Sequence, residues 1–504
     1  MNDEPGGLIQ TGDGGYIMAG QTHSDDGDVT SNHGKYDLWI VKMDGEGKIQ
    51  WQKTYGGSQD DYGGAILPAL DGGYIIAAST NSIDGDLKGL RTDTAQSDIW
   101  VLKIDSLGNI DWQKIYGGSK FDAASSIVFG GEGEYVISGI TESGDGDVKG
   151  FHGGSGADIW VFQISETGVL GWQKTLGGSK DDEGGIVQIP GGFAVIGTTY
   201  STDGDVTGRV RDSSADVWLV KLSNSGDIIW QKTYGGSGYD AGNDVIPTLD
   251  HGYAIAGLTF TNDDGDVSGI HQPAYYSDCW IVKLDGDGNI QWQQCLGGSK
   301  GDAAYSILQT SDSGYIVSGS TSSNDGDVTG FHGISDCWIF KLSKSGKRIW
   351  EETLGGSASD ANIGSGIMQT ADNGFLVATV TSSNDGDVSS HHGDSLNSDI
   401  WLVKLSEDPS GVKNIFDQNN RSISVYPNPS LGKTTISYDL EKPSFVKIEI
   451  YSPLGDQLRT FTYGLEEIGN HDHEFDISSL NSGSYFFRIY FGNTSVIKGV
   501  VLMK

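Results

Sequence analysis

The sequence predicts an all-β chain: a seven-bladed β-propeller of four-stranded repeats about sixty residues long, followed by a small C-terminal β-sandwich. Three observations carry this. Glycine is abundant (77) and proline scarce (10), and long runs with helical spacing of apolar residues are missing, which points to short strands joined by tight turns. An Asp-Gly-Asp core followed by Val or Leu occurs seven times, starting at Asp26, Asp84, Asp145, Asp203, Asp264, Asp325 and Asp385, with spacings of 58, 61, 58, 61, 61 and 60 residues. A fixed period of this kind is the signature of a repeat architecture. All 13 tryptophans fall inside the repeat, seven in one strand and six in the next.

Each unit reads as four strands, a to d. In the sixth unit they are "SILQT", "GYIVSGST", "DCWIFKL" and "KRIWEETLGGS". Strand c is a nearly continuous apolar run, as in "DIWVLKI" and "DVWLVKL", so it expects a neighbouring sheet on both faces. The strand c and strand d tryptophans of a complete unit are 12 residues apart, and a recurrent glycine (Gly47, Gly108, Gly168, Gly226, Gly288, Gly346) supplies the positive φ of the turn between them. Indoles can form a cofactor or sugar platform, but their equivalence across units favours packing between blades. A sheet apolar on both faces cannot bury itself, so the units are expected to close on one another. Strand d and its "GGS" turn occur six times, and the chain begins at the equivalent of the residue after "GGS", with Asp3 in register with Asp61, Asp122, Asp182, Asp240, Asp302 and Asp360. Either a strand upstream of Met1 completes the last blade, or "GVKNIF" at 411 to 416 serves as a degenerate strand d.

The formal charge of −36 disfavours nucleic acid and anionic lipid surfaces as partners, and no apolar run is long enough to span a membrane. Cys279, Cys295 and Cys337 are unevenly placed and read as small core residues rather than as a disulfide framework.

In a propeller blade the b to c loop and the d to a connection share a face, so the acids form a ring there. One reading is a ring of Ca²⁺ sites, each using the two Asp-Gly-Asp acids and the Asp that opens strand c. The sets are Asp26, Asp28 and Asp37; Asp84, Asp86 and Asp98; Asp145, Asp147 and Asp158; Asp203, Asp205 and Asp216; Asp264, Asp266 and Asp278; Asp325, Asp327 and Asp336; Asp385, Asp387 and Asp399. The gap to the third Asp varies from 9 to 12 residues, unlike the rigid EF-hand loop. The other reading is turn chemistry, in which Asp side chains satisfy nearby backbone N–H groups without any ion. Asp61 and its equivalents read as clips between adjacent blades. "HG" at His33, His152, His332 and His392 reads as loop ordering, since units two and four lack it. Tyr275, Tyr276, Arg91, Arg209 and Arg211 are one-off features that either rim a ligand patch or decorate a loop. No Ser-His-Asp elbow, phosphate loop or zinc spacing stands out. Near-identical copies of the acids favour a non-catalytic surface module that binds a glycan, a protein or cations; the alternative is a polysaccharide hydrolase or lyase with paired carboxylates at the channel mouth.

Segments such as "DIWVLKIDSLGNIDWQKIYGGSKFDAASSI" resemble the bacterial β-propeller repeat family (SBBP-like) over residues 1 to 408, which implies a secreted or surface location and no shared enzymatic activity. A polar linker spans 409 to 422. The stretch 423 to 504 is similar to the type A C-terminal sorting domain of the type IX secretion system of Bacteroidetes, on Tyr426, Pro427, Asn428 and Pro429, on the turn with Gly455, on "LNSGSYFFRI" with Leu480, Gly483 and Tyr485, and on the basic end with Lys498 and Lys504. That resemblance implies contact with the secretion machinery, export across the outer membrane and removal of the tail in the linker. Export also needs an N-terminal signal; "MNDEPGGLIQ" has neither a basic start nor an apolar core, so the start is expected to lie further upstream.

Overall fold

The computed structural model of the protein describes residues 2 to 406 and 423 to 502, apart from short stretches at 92–95, 132, 209–213, 272–274, 361–365, 371, 389–390, 392–396, 429, 441–442, 453–456 and 492–493. Within residues 2 to 406 the chain forms six four-stranded antiparallel sheets and a seventh of three strands, each a meander in chain order. Unit 1 shows the pattern: strand a is Asp3–Gln10, b is Tyr16–Thr22, c is Asp37–Met43 and d is Ile49–Tyr55. Unit 7 consists of Ile367–Gln369, Phe375–Thr381 and Asp399–Leu405. The segment 411 to 416, expected as a possible seventh strand d, lies outside the described residues.

The apolar cores lie between sheets, as the two-sided strand c requires. Between units 1 and 2, Ile17, Leu38 and Ile40 pack against Ile66, Ile76, Trp100 and Leu102. Six further cores of this kind follow, one at each remaining junction, and one of them joins Tyr16, Met18, Trp39 and Val41 of unit 1 to Leu376, Ile400 and Leu402 of unit 7. A single backbone hydrogen bond repeats at the same seven places. The N–H opening strand a donates to the carbonyl just before strand c of the preceding unit: Asp61 to Tyr36, Asp122 to Ser97, Asp182 to Ala157, Asp240 to Ala215, Asp302 to Ser277 and Asp360 to Ser335, all within 2.6–2.9 Å. Asp3 of unit 1 donates in the same way to Ser398 of unit 7, at 2.8 Å.

The tryptophans are core, as expected. Those of strand c are fully buried in units 2 to 6, for example Trp100, Trp160 and Trp218 at 0% exposure. The strand d indoles lie under the c to d turn of the following unit, where Trp112 and Trp292 donate to the carbonyls of Glu166 and Lys344 at 3.1 and 3.2 Å. The turn glycine therefore has a second duty besides its φ: a Cβ on Gly226 would sit 2.4 Å from Trp172.

Residues 423 to 502 form a separate pair of sheets. Ile423–Tyr426, Lys433–Leu440 and Gly469–Asp476 make one, while Gln457–Glu466, Ser444–Tyr451, Gly483–Phe491 and Thr494–Leu502 make the other. Val446, Ile448 and Ile450 alternate into a shared core with Ile436, Tyr438, Phe475, Phe487 and Ile489, which is the period of two read from "VKIEIYS".

Two glycines with the same left-handed φ separate backbone cost from crowding. Gly226→Ala (φ +80, Cβ against Trp172) is expected to destabilise by clearly more than Gly14→Ala (φ +82, open space around its Cβ), whose cost is the left-handed conformation alone, about 1–2 kcal/mol. Urea unfolding of the two variants side by side measures the difference, and equal values would remove the indole from the argument.

Candidate functional site

The repeated acids meet the repeated glycines across each junction. In unit 2 the Asp-Gly-Asp loop folds back over the "GGS" turn of unit 1: Ser58 N–H donates to Asp84 Oδ1 at 2.7 Å, Gly56 N–H donates to Asp86 Oδ2 at 3.0 Å, and Asp86 N–H returns a bond to the Gly56 carbonyl at 3.0 Å. The first of these recurs at Ser119–Asp145, Ser179–Asp203, Ser237–Asp264, Ser299–Asp325 and Ser357–Asp385, all at 2.7–2.8 Å. The second recurs at Gly117–Asp147, Gly235–Asp266, Gly297–Asp327 and Gly355–Asp387, at 3.2–3.4 Å. Every glycine of the interlock is sterically required: a Cβ on Gly85 would lie 2.2 Å from the Gly56 carbonyl, and one on Gly57 2.5 Å from Asp84 Oδ1. Gly85 also has φ +57, which disfavours any side chain.

Beneath this latch lie two buried carboxyls, one from each unit. Asp61, opening strand a of unit 2, accepts from the hydroxyls of Thr80 and Ser82 and from Gly57 N–H, and Asp37, opening strand c of unit 1, accepts from His33 N–H and faces its Nδ1 at 2.7 Å. Both are 0% exposed, and both lie over the α-carbon of Gly56, where a Cβ would be 2.5 Å from Asp61 Oδ2 and 2.8 Å from Asp37 Oδ1. The same pairing recurs at Asp158 with Asp182 and at Asp336 with Asp360.

Burial and the neighbouring carboxylate raise these acids. Asp61, Asp158, Asp240 and Asp302 are pushed up to about 6, chiefly by desolvation, with Asp37, Asp182, Asp216 and Asp278 as the respective like charges. A cationic or imidazole side chain answers most pairs. His152, His271 and His332 place Nδ1 2.8–2.9 Å from Asp158, Asp278 and Asp336. In unit 2, which has no such histidine, the Arg91 guanidinium takes the position and binds Asp98 at 2.9 Å through Nε. His271 also reaches Asp327 of the next unit at 3.3 Å, and the two carboxylates raise it to about 10.

Acids of the Asp-Gly-Asp loop reach the strand c acid of the preceding unit: the Asp86 charge acts on Asp37, and Asp327 shares His271 with Asp278. Among the described residues no group of three or more His, Cys, Asp and Glu is placed to hold a metal ion. Asp26 and Asp28 have no "GGS" turn against them among the described residues and are exposed. Arg209, Arg211 and His392 lie outside the described residues, and Tyr275 and Tyr276 are exposed.

Two features escaped sequence reasoning. His271 in "GIHQ" lacks the glycine that flagged its counterparts, and Arg91 looked like an isolated charge; only position relative to the strand c acid unites them. On the opposite edge, strand c lysines are buried against acids of the a to b turn, Lys42 with Asp13, Lys103 with Asp71 and Lys283 with Asp250, while in unit 7 the exposed Lys404 pairs with Asp372. A lysine in the apolar strand c of six of the seven units, with Gln163 at that place in unit 3, was the available signal.

In the C-terminal sheets several of the predicted motif residues make structural contacts, while Tyr426 is exposed. Asn428 Oδ1 accepts from Val501 N–H at 2.7 Å, the Pro427 carbonyl accepts from the Thr434 hydroxyl at 3.1 Å, and Tyr485 donates to the Asn481 carbonyl at 2.7 Å. Leu480 packs on the core, Gly483 opens a strand at φ +149, and the Lys498 side chain is largely buried. Pro429, Gly455 and Lys504 lie outside the described residues.

Residues 424–503 match the secretion system C-terminal sorting domain, so the chain is an all-β repeat protein that carries such a domain. The regulatory protein FlaEY of Caulobacter vibrioides is 23% identical over 382 residues, 70% of this chain; the chain spans 38% of the length of that relative. Among solved structures, the hydrazine synthase of Kuenenia stuttgartiensis superposes with a TM-score of 0.44 at 10% identity, covering 80% of this chain and 96% of that one. The Pan2 WD40 domain of Neurospora crassa gives 0.40 at 10% identity, covering 74% and 86%.

The buried acids impose a direction on pH dependence. Asp61, Asp158, Asp240 and Asp302 have folded values near 6 against an ordinary 3.8, so the folded state holds more protons between these limits. Their contribution is complete below about pH 4 and is lost as the pH rises through 6; His271, raised from 6.5 to about 10, adds a contribution that is complete below 6.5 and lost as the pH rises through 10. Thermal unfolding from pH 5 to pH 10 is expected to show a melting temperature that falls throughout, and His271→Gln should flatten the limb above pH 7. A melting temperature that rises with pH over this range would contradict the assignment.

Proposed function

We propose that residues 1 to 408 form a closed seven-bladed propeller acting as a non-catalytic binding or structural module, exported by the type IX secretion system through the tail at 423 to 504 and displayed at, or released from, the cell surface after the linker at 409 to 422 is cut. The observation that carries the ring is the Asp3 N–H donating to the Ser398 carbonyl, the same bond that joins every other pair of neighbours, together with the apolar core shared by units 1 and 7. The tail match carries the route of export.

The non-catalytic reading rests on how the acids are used. A general acid or nucleophile needs a lone pair or proton aimed at substrate. Here the Asp-Gly-Asp carboxylates accept backbone N–H bonds of the adjoining turn, and the acids below them are buried. That use also favours turn chemistry over the Ca²⁺ ring, because the N–H donors already account for these loops and leave few carboxylate lone pairs for a cation that takes about six to eight oxygens.

Two measurements test the reading. A melting scan with and without chelator is expected to show the same midpoint, whereas a fall of several degrees on chelation would restore Ca²⁺ to the Asp-Gly-Asp loops. Deletion of residues 424 to 504 is expected to abolish appearance of the repeat region at the surface or in the medium of a type IX secreting host. Undiminished export of the truncated chain would remove the assigned route.

A further inference from the structure

The repeat supplies its own control for singular features, since any residue the fold requires should recur at the equivalent position. Two aromatic clusters stand out, and the tyrosines of the first, Tyr36 and Tyr62, fail that test. At the junction of units 1 and 2, His23 and Tyr36 have ring centroids 5.1 Å apart, and Tyr36 and Tyr62 5.9 Å apart. At the junction of units 4 and 5, Tyr200 and Tyr239 are 6.3 Å apart, and Tyr239 and Phe260 6.1 Å apart. Where unit 1 has Tyr36, just before strand c, the other units have Ser97, Ala157, Ala215, Ser277, Ser335 and Ser398. Where unit 2 has Tyr62, the second residue of strand a, units 3, 5 and 6 have Ala123, Ala241 and Ala303. Units 1 and 4 have Glu4 and Glu183 at the second place, so the junction needs no ring at either position, and Tyr36 and Tyr62 answer to something else; in the second cluster Tyr239 stands where units 2, 4 and 6 have Asp60, Asp181 and Gly301.

Both clusters sit on the edge that carries the Asp-Gly-Asp loops, because their members flank the starts of strands a and c or the end of strand b. Each cluster has one ring open to solvent, Tyr62 and Tyr200 at 37% exposure, while Tyr36, Tyr239 and Phe260 are half-buried. Polar groups surround the rings. Gln21 donates to Glu4 at 2.7 Å and Lys35 pairs with Asp60 at 3.2 Å beside the first cluster, and the charges of Glu4 and Asp60, after burial, hold the Tyr36 phenol above its usual range. Beside the second cluster Glu183 and Tyr200 act on Tyr239 in the same sense, again after burial.

We propose that these two clusters are binding stations for the pyranose rings of an uncharged polysaccharide, a reading that deepens the non-catalytic binding role given above. A pyranose presents an apolar C–H face, which an exposed tyrosine covers, and an equatorial rim of hydroxyls, which carboxylates and amides such as Glu4 and Gln21 bind. The acids and the net charge of −36 select against uronate and sulfated chains. Two stations on one chain let a polymer bind at both, so a long polysaccharide is expected to bind more tightly than a short oligosaccharide.

Affinity electrophoresis of the full chain tests this, in native gels cast with hydroxyethyl cellulose, xyloglucan, galactomannan or mixed-linkage β-glucan, and with alginate as the anionic polymer. Retardation is expected in at least one uncharged gel and not in alginate. In the retarding gel, Tyr36→Ala with Tyr62→Ala, and separately Tyr200→Ala with Tyr239→Ala, should weaken binding at least fivefold, while Tyr275→Ala, which removes an 86% exposed ring elsewhere, should leave it unchanged. Circular dichroism of each variant separates lost binding from lost folding. No retardation in any uncharged gel, as for a protein ligand, would overturn the proposal; so would stronger retardation in alginate, or retardation that both double variants retain. Release of reducing ends from the polymer would instead sink the non-catalytic reading while leaving the aromatic stations in place.

Discussion

The interlock of an Asp-Gly-Asp loop with the "GGS" turn of the preceding unit is the constraint on which the repeat region depends. Three backbone N–H groups and two carboxylates close around a point where no side chain fits: a Cβ on the first turn glycine would meet carboxyl oxygens of both units, and one on the loop glycine would meet the turn carbonyl. Each hydrogen bond contributes about 1 kcal/mol, so a latch is modest by itself. Its importance is positional, since it sets the distance at which one sheet meets the next and so sets whether the apolar faces of strand c interdigitate. Strand d indoles under the following turn complete the register on the other edge.

The latch also explains why a carboxyl pair can persist beneath it. Two buried acids side by side are costly when both are ionised. The structure answers with hydroxyls and N–H groups around Asp61 and with an imidazole or guanidinium beside the strand c acid, His33 in unit 1 and Arg91 in unit 2. The chemistry of the partner varies while its place does not. Tolerance of this kind is expected where the requirement is charge and reach rather than a particular ring.

Much of this was legible along the chain. The sixty-residue period, the four strands of each unit, the burial of strand c and the left-handed turn glycines all follow from local pattern, because side-chain alternation and backbone φ are set by near neighbours. The alternation of Val446, Ile448 and Ile450 and the motif around Asn428 likewise marked the C-terminal sheets. Grouping the acids was harder. Asp325, Asp327 and Asp336 are near in sequence, yet Asp327 works with His271 and Asp278 of the unit before. The buried lysines and the aromatic clusters were equally hidden, since neither Lys283 with Asp250 nor Tyr36 with Tyr62 are close along the chain.

By itself, then, the sequence determined the repeat unit, its strand pattern and the kind of tail that follows it, because these depend on residues within one period. Tertiary structure decided which unit each acid serves, which cations answer the buried carboxyls and which exposed rings come together. Those outcomes depend on how one sheet is set against the next, and a junction between two units brings together residues separated by dozens of positions, a relation no local pattern encodes.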